Sequence, residues 1–211
     1  MLAWFQDHDL TATRQWFRQS AEMNKRAYEI RYGTVGAGGK TLELRAPLVS
    51  NDDELIAWFA NARHLYNAKA VQDHKSGDDF WAYQAIVALR GEWRELEARC
   101  DRVLADPPRA ASEQKYLVDH RFYRGLARGD EAEMLAALAE MLQPKAVRAR
   151  GNDESGFTQD LIFTPALIYT KLAWRKGHRI DPRSPLVPSE WLPLDRPTTF
   201  PSFYDLGDAA G

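Results

Sequence analysis

Gly36-Ala-Gly-Gly-Lys40-Thr41 is the stretch whose composition comes nearest to a phosphate cradle. Such a cradle needs a small residue, four spacers and then Gly-Lys-Thr, so that backbone amides surround the phosphates and the lysine neutralises them. Gly39, Lys40 and Thr41 fit. The position that requires glycine holds Thr34, and the stretch follows a helical pattern instead of a strand. Leu42 and Leu44 alternate like an extended segment, where a helix ought to begin. The stretch therefore reads as a glycine-rich turn, and no cofactor is expected.

Nucleophilic and metal chemistry fare no better. None of the five histidines (His8, His64, His74, His120, His178) stands in a His-Glu-x-x-His arrangement, and one cysteine cannot supply a zinc set. Cys100 falls mid-helix between Arg99 and Asp101, without the glycine turn that exposes a nucleophile, and reads as a small buried thiol. Acidic residues gather at Asp52-Asp53-Glu54, Asp78-Asp79 and Glu131-x-Glu133, each at an expected helix start, where they suit the positive end of the helix dipole. The same groups on a surface can face a basic partner. Asp52, Asp53, Glu54, Asp78 and Asp79 are thus the candidate partner-binding residues. The seven tryptophans stand mostly at core spacing. No constellation assembles an acid, a base and a stabiliser, so the chain reads as a binding protein and not an enzyme.

The elements that carry these residues are helical. From Leu10 to about residue 32, Trp16, Phe17, Ser20, Met23, Ala27 and Ile30 recur at three- and four-residue spacing and mark a core-facing stripe. Gly33 ends that helix, and Thr41 to Ala46 reads as a short strand or an extended connector. Asn51 or Asp52 caps the next helix, which carries Leu55, Ile56, Trp58 and Phe59. Two later segments share a design of helix, glycine, acid, helix: Phe80 to about Ala105 around Gly91-Glu92, and Tyr116 to Leu142 around Gly129-Asp130. Each glycine is expected to supply a left-handed cap. A last helix runs from Leu161 to Lys176, and the proline-rich residues after Gly177 still carry Leu186, Val187, Trp191 and Leu192. The expected fold class is all-α: an array of antiparallel helical hairpins, tetratricopeptide-like in outline, with an ordered proline-rich C-terminal tail. One domain is expected over residues 1–211, with 206–211 frayed.

Composition bounds the rest. In 211 residues, 45% are apolar and 11% aromatic, enough to build a sizeable core. Twenty-eight basic against thirty acidic residues leave a formal charge of −2, which offers no footprint for nucleic acid or anionic lipid. A single cysteine, no signal-like start and no long apolar run point to a soluble cytoplasmic protein without a membrane span.

Read in order, Ala46-Pro-Leu-Val-Ser-Asn-Asp-Asp-Glu-Leu-Ile-Ala-Trp-Phe59, Ala88-Leu-Arg-Gly-Glu-Trp93 and Gly129-Asp130 are followed by Ile168-Tyr-Thr-Lys-Leu-Ala-Trp-Arg-Lys-Gly177. Asp181-x-x-Ser-Pro-Leu-Val-Pro-x-Glu-Trp-Leu-Pro193 completes the series. From about Leu44 to Tyr204 this resembles the Imm49 family of immunity proteins from bacterial polymorphic-toxin and type VI secretion competition systems. The resemblance implies a cytoplasmic protein that binds and neutralises a cognate toxin encoded nearby, with no cofactor and no shared active site. It assigns no contact residue, and oligomeric state stays open. The other reading is a helical-repeat adaptor or chaperone that carries a client protein.

Overall fold

The computed structural model describes residues 1–30, 37–75, 78–151, 154 and 156–195, the side chains of 38–40 and 78 excepted. Every regular element among them is a helix. A short α1 (Leu2–Phe5) leads into α2 (Leu10–Glu29), which Asp9 opens by accepting a hydrogen bond from the Ala12 amide at 2.8 Å.

The face of α2 that turns inward carries Thr13, Phe17, Ala21 and Tyr28. This corrects the expected stripe: Phe17 alone of that set is buried, while Trp16, Met23 and Ile30 are 46%, 55% and 77% exposed. Both sets have helical spacing, so periodicity cannot separate them. The buried one includes polar groups that find partners inside the protein. Thr13 bonds back to the Asp9 carbonyl, and Arg14 donates to the carbonyls of Pro193 and Asp195.

A second correction concerns the expected extended connector. Residues Ala37–Glu43 form α3 and Arg45–Ser50 form α4. Ala37, Thr41, Leu44 and Leu48 are all buried, a 4-3-4 spacing that the Leu42/Leu44 alternation conceals. The Thr41 hydroxyl donates to the Ala82 carbonyl at 2.6 Å. Pro47 sits in the first turn of α4, where its missing N–H costs nothing. The expected stop at Gly33 and the frayed end at 206–211 lie outside the described residues.

The remaining helices are α5 (Asp53–Asn61), α6 (Asp78–Leu89), α7 (Trp93–Ala105), α8 (Ala111–Gln114), α9 (Leu117–Arg128), α10 (Glu131–Met141), α11 (Pro144–Ala149) and α12 (Thr164–Lys176). Residues 80–88 of α6 are buried without a break, as suits a helix enclosed on all sides. Gly91 and Gly129 both take positive φ, as their place after α6 and α9 requires. The two segments that look alike in sequence pack differently. Helices α9 and α10 lie tightly against each other, whereas α6 packs chiefly on α3 and α7 on α9. Gly125 permits the α9–α10 approach, because a β-carbon there would stand 3.1 Å from the Met134 amide nitrogen.

Charged side chains are among the groups buried inside. Arg99 of α7 is fully buried and donates to Gln84, to the carbonyls of Val71 and Phe80, and to Gln72. Asp119 of α9 accepts both arms of the Arg150 guanidinium and the Tyr169 hydroxyl. Past Gly177 the chain returns along the helices with Val187, Trp191 and Leu192 buried. The Trp191 ring meets Trp4, Phe5 and Phe17 edge-on.

Candidate protein-binding site

Helix α5 begins at a corner built by two adjacent residues. Asn51 ends α4 in the left-handed conformation (φ +56°), which asparagine tolerates. Asp52 then caps α5, accepting from the amides of Glu54 and Leu55 at 3.1 Å each. Asp52 is 3% exposed, and its second oxygen takes the Arg18 guanidinium at 2.9 Å. Its charge works inward, on the corner itself.

Asp53 and Glu54 are the members of that cluster that reach the surface. Arg175, near the end of α12, pairs with Asp53 at 2.5 Å. Asp79 stands elsewhere: its carboxylate accepts from the Ala37 amide at the start of α3. The side chain of Asp78 lies outside the described residues. The structure therefore joins Asp52, Asp53 and Glu54 at one helix start and does not join them to Asp79.

Beside α5 runs an open groove of about 440 Å³. Its floor is Ile56, Ala57 and Ala60 of α5 with Leu89 of α6 opposite. One end holds the Asp53–Arg175 pair. The other holds Arg63, just past α5, and the Arg90-Gly91-Glu92 turn. Glu92 serves two cations there, Arg90 through both oxygens and Arg63 at 2.6 Å. The hydrogen bond from Arg90 is the main reason the Glu92 carboxyl lies below its ordinary pKa. Arg90 also donates to the Tyr83 hydroxyl at 3.0 Å, which fixes its fork.

Sequence reasoning missed Arg63, Arg90 and Arg175. Arg63 and Arg175 are 112 positions apart, and Arg90-Gly-Glu92 carries only the signature of a helix cap. The cap forms with a difference: Glu92 makes no side-chain cap bond to α7, because its oxygens go to the two arginines.

The groups that resemble chemical machinery are committed elsewhere. Gly39-Lys40-Thr41 falls within α3, and Asp79 already occupies the anion position at that helix start. Cys100 is fully buried, and burial pushes its thiol well above the ordinary range. His120 is buried too, held near pKa 4 chiefly by desolvation, with Asp119 opposing and Arg99 and Arg150 assisting. Among the described residues no group of three His, Cys, Asp or Glu side chains could hold a metal ion. No helix among them is long and apolar enough to cross a membrane.

Residues 69–191, more than half of the chain, match the family immunity protein 49 (Imm49). The chain belongs to the Imm49 family. The matched span runs from the residues before α6 to Trp191, so it includes the Leu89–Glu92 wall of the groove and Arg175, while α5 precedes it. No curated protein and no solved structure matches the chain.

Proposed function

We propose that this Imm49 protein binds a cognate antibacterial toxin in the producing cell and neutralises it by covering its active site. Membership of an immunity family carries this reading. The α5 face supports it, because a rigid corner presents two surface carboxylates beside a preformed groove. On this reading Asp53 and Glu54 touch the toxin, and Asp52 sets their position from behind. A complex of this kind buries on the order of 1,200–2,000 Å² and forms with nanomolar or tighter affinity.

Charge reversal tests the surface. The double variant Asp53→Arg, Glu54→Arg should weaken binding to the toxin encoded by the neighbouring gene by about tenfold or more, chiefly by slowing association. Titration calorimetry of the purified pair reads the result. Unchanged affinity would move the contact surface away from α5.

A further inference from the structure

The groove beside α5 is not uniformly acidic. Three guanidinium groups, from Arg63, Arg90 and Arg175, share it with two carboxylates, from Asp53 and Glu92. Both carboxylates are already engaged, Asp53 by Arg175 and Glu92 by Arg90 and Arg63. The cations are not equally committed. The Arg90 side chain is 8% exposed and holds Glu92 and Tyr83. The Arg63 side chain is 60% exposed and, among the described residues, makes one hydrogen bond, through one of its five N–H groups. Between the ends, Ala57 is exposed and Leu89 half-buried, which leaves a small apolar strip between α5 and α6.

We propose that this groove receives a segment of the toxin in which an aliphatic side chain is flanked by a carboxylate. The carboxylate takes the remaining fork of Arg63, a geometry that guanidinium matches with two parallel hydrogen bonds. The aliphatic group covers Ala57 and Leu89. Beyond the far end, past the Asp53–Arg175 pair, exposed Glu54 meets a cation that follows in the segment, so the face reads charge order as well as charge. The inference rests on the reading of the chain as a toxin-binding protein and names the chemistry of the bound segment.

The test uses a catalytically inactive form of the neighbouring toxin and four immunity proteins: wild type, Arg63→Glu, Arg63→Lys and Ala57→Arg. Both altered positions are exposed, so all the variants should fold and melt cooperatively, with Arg63→Glu lowered slightly by loss of the Glu92 pair. Arg63→Glu and Ala57→Arg should each lose about tenfold or more in affinity, the first by repulsion and the second by filling the strip. Arg63→Lys should keep part of the binding, because it retains the cation without the fork. A tight wild-type complex whose affinity changes less than twofold in both Arg63→Glu and Ala57→Arg would overturn the groove assignment and leave the immunity reading intact. Absence of any wild-type complex would overturn both.

Discussion

The ammonium of Lys171 lies 2.6 Å from the side-chain oxygen of Asn51 and 3.0–3.4 Å from the carbonyl oxygens of Trp191, Leu192 and Pro193. One buried lysine of α12 thus ties the α4–α5 corner to the returning C-terminal segment. Asn51 reinforces the tie by donating to the carbonyls of Pro193 and Asp195. One turn further along α12, Arg175 holds Asp53. The corner that presents the candidate contact residues is therefore held from α12 on both sides of its cap.

Burial lowers the Lys171 pKa to about 7, with repulsion from Arg14 and Arg175 adding and Asp195 opposing. The folded value lies below the unfolded value of about 10.4, so the unfolded chain binds the extra proton between those limits. Stability contributed by this group is then full above pH ~10 and declines as pH falls toward 7, by up to about 1.4 kcal/mol per unit. Lys171→Met should remove that slope, so the stability of wild type relative to the variant rises with pH across the window. Urea titrations at several pH values measure it, and parallel profiles would contradict it.

His120 gives a separate signature in acid. Its folded pKa near 4 lies below the ordinary 6.5 because burial disfavours the charged ring. The unfolded chain takes up that proton first, so stability from this group is present above pH ~6.5 and is lost as pH falls toward 4. The loss amounts to about 3 kcal/mol. His120→Gln should flatten this part of the profile; an equally steep acid limb in the variant would assign it to other groups.

The Arg150–Asp119 pair lets breaking and replacing be compared. Asp119 is fully buried and Arg150 2% exposed. Asp119→Ala should cost about 3–5 kcal/mol, since it strands a buried guanidinium. Asp119→Leu together with Arg150→Met should recover part of that loss, since it removes the stranded charge but still deprives the buried Tyr169 hydroxyl of its acceptor. Chemical denaturation of the three proteins checks it, and a double variant as unstable as the single one would contradict the argument.

Asp52 separates positioning from contact. Asp52→Ala removes the α5 cap and the Arg18 bond and should cost about 1–2 kcal/mol. Asp52→Asn keeps the capping oxygen and should lose only a part of that stability. Thermal melts rank the three proteins, and equal losses in both variants would show that the charge matters more than the cap.

Much of the helical character was legible because strong local signals agree with one another. Asp130 caps α10, Pro165 sits in the first turn of α12, and Gly129 closes α9 with positive φ. The α2 stripe was misleading for a physical reason. Hydropathy ranked Trp16, Met23 and Ile30 above Thr13 and Arg14, yet long-range hydrogen bonds draw Arg14 inward. The helical state of α3 was hidden by two glycines and an apparent alternation, both overridden by packing against α6. At the candidate site the sequence pointed to the α5 start but could not divide its labour. Only the fold shows that Asp52 faces Arg18 while Asp53 and Glu54 face out. Arg63 and Arg175 carried no local signal, because their significance comes from a groove assembled by distant parts of the chain.

Protection of a living cell tests the central claim most directly. The neighbouring gene would be expressed in a susceptible bacterium with and without this Imm49 chain, with survival counted and the complex isolated from the survivors. The account predicts death without the chain, survival with it, and recovery of toxin and immunity protein together. A toxin that kills equally in the presence of well-produced Imm49 protein, with no complex recovered, would contradict it.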